Sequence, residues 1–127
     1  VSDIIYTFTV PGVPPSLNVW ARSTTYPQAR AKKGWEQAVW ALVNERGNRC
    51  PRPLAHAELL ACITFRQRRR RDAENFGACL WKFTCDGLVK AGIIPDDTPQ
   101  YVTTYTPELV VGDVEQTQIM IRGRLEP

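Results

Sequence analysis

Histidine is almost missing from this chain. Its 127 residues include one, His56, which leaves no basis for a histidine-centred hydrolytic site or for the usual Cys/His zinc cluster. The four cysteines, Cys50, Cys62, Cys79 and Cys85, contain no CxxC pair, and nothing about them calls for an oxidising compartment. Cys62 and Cys79 read as small apolar core residues. No apolar run approaches membrane-spanning length, and no basic segment followed by an apolar signal core opens the chain. The expectation is a cytoplasmic protein with no membrane association. Repeats, low-complexity tracts and linkers are also lacking, so residues 1–127 are expected to form one domain. Charge of one sign is not in excess: the formal net charge is only +3. The basicity is local instead, because Arg66, Arg68, Arg69, Arg70 and Arg71 fall within six positions.

The chain does contain clear periodic segments. Residues 4–10 alternate, with Ile4, Tyr6, Phe8 and Val10 on one face, as a strand with one side toward a core does. The stretch PGVPPSLN, residues 11–18, breaks regular structure with three prolines and a glycine. The spacing of Trp35, Ala38, Val39, Leu42 and Val43 predicts a helix over 28–46 with a basic start at Arg30, Lys32 and Lys33 and a stop at Gly47. Residues 57–66 predict a second strand. Leu59, Ala61, Ile63 and Phe65 face one way and Leu60 and Cys62 the other, which suggests cover on both faces. A second helix is predicted over 74–91, with Phe76, Cys79, Leu80, Phe83, Gly87 and Ala91 as its apolar stripe. Asn75, Lys82 and Asp86 share a separate face, and Gly92 forms the C-terminal cap. Strands follow at 101–105 and 115–122, the latter with Thr117, Ile119 and Ile121 inward, and TPELVVGD reads as a hairpin connection between them. The order β-α-β-α-β-β gives a small α/β domain with a mixed sheet packed by two main helices. Trp20, Trp35, Trp40 and Trp81 read mainly as packing residues, and His56 as structural or exposed.

The stretch RRRRDAEN, residues 68–75, crowds four arginines against two carboxylates where a strand gives way to a helix. One reading is a surface salt-bridge patch. The other is a place where a polyanion meets a metal ion. Should the segment after the second helix return beside the second strand, Asp97, with Asp96 as a neighbour, converges on Asp72 and Glu74. Three hard oxygen ligands would then suit magnesium, or manganese in its place, and such a site suits phosphodiester cleavage. Lys82 would set a positive charge near the scissile phosphate. Arginine forks would hold flanking phosphates, positioning a nucleic acid without reading its sequence. The blander alternatives are a DD turn at residues 96–97, an i,i+4 pair of Lys82 with Asp86 supporting the helix, and a helix start stabilised by Asn75 and Glu74.

Four blocks in order resemble the RusA-type Holliday junction resolvases, small endodeoxyribonucleases common in phages and prophages. They are PGVPPSLN after the first strand, the basic strand end running into RRRRDAEN, the helix carrying Lys82 and Asp86, and DGLVKAGIIPDD, residues 86–97. The likeness covers about residues 4–122. It implies a RusA-like fold, metal ligands at Asp72, Glu74 and Asp97 with Asp96 as a further candidate, and a catalytic Lys82. It also implies a magnesium-dependent enzyme that works as a homodimer and resolves four-way DNA by paired symmetric nicks. Arg66, Arg68–Arg71, Asn75, Lys32 and Lys33 would contact the DNA. The chain departs from the family pattern twice. Glu74 stands where the pattern has a second aspartate, and Lys82 lies seven residues after Asn75, with Ala78 at the earlier lysine position. Glu74 keeps open a weakly active or inactive binder of branched DNA, and the same acids would equally serve a nuclease for another DNA or RNA structure.

Overall fold

The computed structural model describes residues 4–125. In chain order the elements are β1 (Ile4–Pro11), α1 (Leu17–Arg22), α2 (Thr25–Val43), β2 (Leu54–Phe65), α3 (Ala73–Lys90), β3 (Val102–Thr104), β4 (Glu108–Val111) and β5 (Gln116–Leu125). The sheet runs β1-β5-β2-β3, with β4 also on β2. β5 is antiparallel to both β1 and β2, while β3 and β4 lie parallel to β2. This is a small α/β domain with a mixed, open sheet. Among the described residues no helix is long and apolar enough to cross a membrane.

The two strands with strict alternation form as their pattern dictates. Tyr6, Phe8 and Val10 of β1 and Thr117, Ile119 and Ile121 of β5 are buried, and the residues between them point outward. α2 and α3 cover the inward face. Their Val39, Val43, Leu80, Phe83 and Leu88 join Leu59, Ile63, Ile119 and Ile121 in one core. Gly87 allows the two helices to meet closely: a Cβ there would sit 3.1 Å from both the Glu36 carbonyl and the Val39 side chain. Trp35 closes the same seam by donating from Nε1 to Thr84 Oγ1 at 3.0 Å.

Several segments differ from the sequence expectation. A short helix, α1, begins inside PGVPPSLN, because Ser16 accepts a cap bond from the Val19 N–H at 3.2 Å. α2 starts three residues before the predicted 28. Pro27 falls in its first turn, where no intrahelical donor is needed. It ends at Val43 rather than 46. The Arg52 guanidinium ties off that end by donating to the Val43 carbonyl (2.8 Å), Asn44 Oδ1 (2.7 Å) and the Ala91 carbonyl of the α3 terminus (2.7 Å). α3 ends as predicted, with Gly92 at φ 77°. The Ile93 N–H reaches the Leu88 carbonyl and the Gly92 N–H the Val89 carbonyl, the paired bonds of a Schellman stop.

The expected hairpin at TPELVVGD is a strand instead. β3 and β4 together make one interrupted edge strand beside β2, pairing with Ala57–Leu59 and then Cys62–Phe65. Pro107, which has no N–H to donate, falls in the gap. β5 pairs on the opposite side of β2, so residues 112–115 pass across the end of β2 and do not fold β4 back on β5. β2 is central in the sheet but is not covered on both faces as expected. Its Leu60 and Cys62 are half-buried on the side away from the helices, where they line an open groove with Thr7, Gln118 and Met120. Cys62 is thus not a core residue, whereas Cys50, Cys79 and Cys85 are.

Candidate nucleic-acid interface and acidic groove

α3 carries the site expectations from end to end. At its start, Asp72 is the N-cap residue: its Oδ1 accepts the Glu74 N–H at 3.0 Å. Glu74 occupies the first turn, where the helix dipole favours a carboxylate. Asn75 turns toward the proline-rich segment, and its Oδ1 accepts the Asn18 N–H at 3.2 Å. That bond explains why the two motifs belong together: one holds the other in place.

The arginine run divides in two. Arg71 is anchored, with its guanidinium 3.8 Å from the Phe65 ring centroid and a bond to the Gln67 carbonyl at 2.9 Å. Arg66, Arg68, Arg69 and Arg70 are exposed. Among the described residues none of the five forms a salt bridge, so Asp72 and Glu74 do not neutralise them. The surface salt-bridge patch is therefore not what this loop makes. Four exposed guanidinium groups without an acid partner form a ready anion surface.

Further along α3, Lys82 lies over Trp20 of α1, with Nζ 5.3 Å from the ring centroid. Trp20 itself is held edge-on against Phe83 at 5.6 Å. Lys82 and Asp97 line one groove of about 260 Å³ together with Trp81, Cys85, Val102 and Thr104. Asp86 does not pair with Lys82. It accepts from Lys32 of α2 at 3.2 Å. Lys32, Lys33, Asp86, Asp96 and Asp97 all border an adjoining cleft of about 630 Å³. Asp96 holds the turn by accepting the Asp97 N–H at 2.8 Å.

Sequence reasoning missed Glu36, which organises this cleft. It is only 5% exposed, yet it bonds Lys90 at 2.7 Å and Lys32 at 3.6 Å. Burial pushes its carboxyl upward, but Lys90 and Lys32 outweigh that and hold it below the ordinary carboxylate range. Lys32 is raised in turn, chiefly by its bond to Asp86. The available signal was an acid set directly beside Trp35 on an otherwise apolar stripe. Cys85 is pushed up to about 12, first by burial and then by the charges of Asp97 and Asp86. This places both acids about the same point of α3.

The carboxylates are hard oxygen donors of the kind magnesium takes, but the structure does not gather the three that the resemblance assigns to it. Glu74 lines one stretch of the groove between α3 and the edge strand, and Asp97 lines another. Trp81 and Thr104 are common to both stretches. Asp72 and Lys82 are ten helical positions apart, roughly 15 Å along the axis. Among the described residues no three of His, Cys, Asp and Glu come close enough to hold one metal ion. As arranged, the set does not fit a three-carboxylate site, and no hydrolytic step follows from it.

Fold and site together define a small α/β domain whose central helix joins an arginine loop to a lysine- and acid-lined groove. No family model matches the chain, and no curated protein is significantly similar to it.

Proposed function

We propose that the protein is a RusA-type endodeoxyribonuclease that resolves four-way DNA junctions with magnesium, or manganese in its place, in the cytoplasm. The observation that carries this reading is the arginine loop without acid partners at the start of the same helix whose Lys82 shares a groove with Asp97. Arg66 and Arg68–Arg70 would hold phosphates on one strand. Lys82 would meet a phosphate roughly 15 Å further along α3, within reach of the same strand. Lys32 and Lys33 would extend the contact on the α2 side. Asp72, Glu74 and Asp97 are the ligands this reading assigns to the ion, and it requires them to converge when metal and DNA are bound.

Paired symmetric nicks need two copies, and the open sheet face suits a second copy of this chain. Across β1, β5 and β2 run Thr7, Met120 and Leu60, then Thr9, Gln118 and Cys62, two adjacent rows whose one charged neighbour is Glu108 of β4 beside Cys62. The next row ends them with Ile5, which is 65% exposed, and the Arg122–Glu58 pair at 2.9 Å. The six residues of these rows span roughly 200 Å² at ordinary strand spacings. Pairing there leaves both helical layers free for DNA.

A second reading is a branched-DNA binder that does not cut. The separated carboxylates and Glu74 in the aspartate position favour it. Incubating the protein with a synthetic four-way junction and a linear duplex, in magnesium, manganese or chelator, decides between them. Paired nicks specific to the junction and abolished by chelator and by Asp97→Asn support the resolvase. Salt-sensitive junction binding without nicks supports the binder. Equal handling of junction and duplex overturns both.

A further inference from the structure

The outward face of α2 takes no part in the core and meets the acidic cleft only at its Lys33 and Ala29 edge. Tyr26, Arg30, Lys33, Gln37 and Trp40 recur at helical spacing (i, i+4, i+7, i+11, i+14), and every one is exposed. Tyr26 is 75% and Trp40 50% exposed, although tryptophan at this position reads as a packing residue from sequence. Trp35, five residues earlier, is the one that packs. Arg30 leans over the Tyr26 ring, 5.9 Å from its centroid. The one acid of the helix, Glu36, is buried on the flank between this stripe and the core and engaged by Lys32 and Lys90. The outer stripe therefore carries cations and aromatic rings with no carboxylate among them. Small residues, Ala29, Gly34 and Ala41, flank it and are exposed as well, so a ligand can approach the helix closely.

We infer that this stripe is a track for single-stranded nucleic acid, with bases stacking on Tyr26 and Trp40 and phosphates held by Arg30 and Lys33. Two exposed rings separated by cations, with no carboxylate in the stripe itself, are the elements from which sequence-independent single-strand sites are made: every base has a face to stack, and every nucleotide brings a phosphate. The rings stand 14 positions apart, about 21 Å along the helix, the reach of a few nucleotides of an extended strand. Lys33 also borders the cleft of Asp96 and Asp97, so a strand on the track continues toward the groove. The track goes beyond junction cleavage and does not depend on it. An Arg30–Tyr26 contact that merely stabilises the helix would leave Trp40 without a role. A lipid surface is the other partner that aromatic and basic residues serve, but the stripe's two rings are widely spaced and no aliphatic residue joins them, which favours the nucleic acid.

The test is fluorescence anisotropy of a labelled 20-nucleotide oligothymidylate titrated with the full chain at low salt. The variants are Tyr26→Ala/Trp40→Ala, Trp40→Phe, Arg30→Gln/Lys33→Gln and, as the control for the arginine loop, Arg68→Gln/Arg69→Gln. Thermal unfolding confirms that each folds. Stacking on two bases predicts at least a ten-fold loss for the double alanine variant and no more than about a three-fold change for Trp40→Phe. Removing the two cations should flatten the salt dependence by nearly two phosphate contacts. Unchanged affinity in the double alanine variant overturns the track. So does binding to phosphatidylserine vesicles through Tyr26 and Trp40 in the absence of oligonucleotide binding. A wild-type chain that cuts the junction but does not bind oligothymidylate overturns the track alone. Failure of cleavage with intact oligothymidylate binding overturns the resolvase reading and leaves the track standing.

Discussion

Asp72 has two roles that mutation can separate. Its Oδ1 caps α3 by accepting the Glu74 N–H at 3.0 Å, and the resolvase reading also makes it a metal ligand. Replacing it with alanine removes the cap, worth about 1 kcal/mol. It also removes a carboxylate from the helix N-terminus, a further ~0.3–1 kcal/mol. For a domain of this size, a loss of about 1.3–2 kcal/mol lowers Tm by roughly 5–8 °C. Asp72→Ser keeps an oxygen able to accept the same N–H and loses only the dipole contribution, so its Tm should fall by roughly 1–4 °C. A serine hydroxyl is a poor ligand for magnesium, so both variants should lose junction cleavage. Thermal unfolding by circular dichroism and a junction-nicking assay on the same samples read the two roles independently. Wild-type nicking by Asp72→Ser would show that the residue is a cap and nothing more. An unchanged Tm in Asp72→Ala would refute the capping argument, whatever happens to activity.

Other consequences are as direct. Gly87→Ala gains about 1 kcal/mol of helix propensity but forces a methyl into the α2–α3 seam at 3.1 Å from Glu36 and Val39. The net should be a loss of about 1–2 kcal/mol, measured by urea unfolding, and a stabilised variant would mean the seam is looser than described. Met120→Lys puts a charge into the uncovered sheet face and should convert a dimer to monomer in sedimentation. Cys62 is the one non-buried cysteine, so its reaction with a thiol reagent should be slow in the wild type and fast in that variant. Equal labelling rates would rule out pairing through this face. Glu36 is held below its ordinary value in the folded state, so its contribution is present above about pH 4.5 and fades as pH falls below that. Glu36→Gln should therefore lower Tm at pH 7 and flatten its decline between pH 5 and 3. A parallel, unflattened decline would place the acid sensitivity elsewhere. Glu58, held to about 2 first by Arg122 and then by Tyr105, should titrate near that value by carboxyl NMR, and a midpoint near 4 would dissolve the cluster.

The parts of the fold that were legible are those in which one face alone decides the pattern. β1 and β5 alternate because helices cover one side and nothing covers the other. The α3 stripe and the Gly92 stop follow from helical spacing and from a residue free to adopt φ 77°. The misses arise where tertiary partners override local signals. α1 forms within a proline-rich stretch because Ser16 supplies a cap and the Asn18 N–H finds Asn75. α2 stops early because Arg52, eight residues past Asn44, closes its end from outside. β4 was invisible as a strand, since four residues bounded by Pro107 and Gly112 look like turn chemistry until β2 offers them a ladder. Leu60 and Cys62 invited a doubly covered strand, but side-chain polarity alone does not separate a face under helices from a face awaiting a partner.

The same distinction governs the site. Residue types at α3 were readable, arginines before two acids and then a lysine and an aspartate on one helical face, although the cap is Asp72 and not the expected Asn75, whose Oδ1 accepts the Asn18 N–H. Their relations were not, because those depend on where the chain returns. β3 does come back beside β2, as convergence of the acids required, but it joins at Ala57–Leu59, the early half of β2. α3 starts from the other end of β2 and runs back along it, so Asp97 arrives opposite Lys82 and Cys85 and not opposite Asp72. Two consequences follow from that one register. The basic and acidic halves of the site are separated along α3, which suits a strand of DNA stretched between them. A single ion bridging Asp72, Glu74 and Asp97 needs the 96–97 turn or the 66–72 loop to move. Both are exposed segments, held by short local bonds such as Asp96 to the Asp97 N–H. Any metal-dependent cleavage should therefore respond strongly to what holds those two segments, and Asp96→Asn, which keeps an oxygen for the Asp97 N–H, should alter the metal concentration needed for half-maximal nicking less than Asp96→Ala, which removes that bond. An unaltered requirement would mean that the turn is already where the ion needs it.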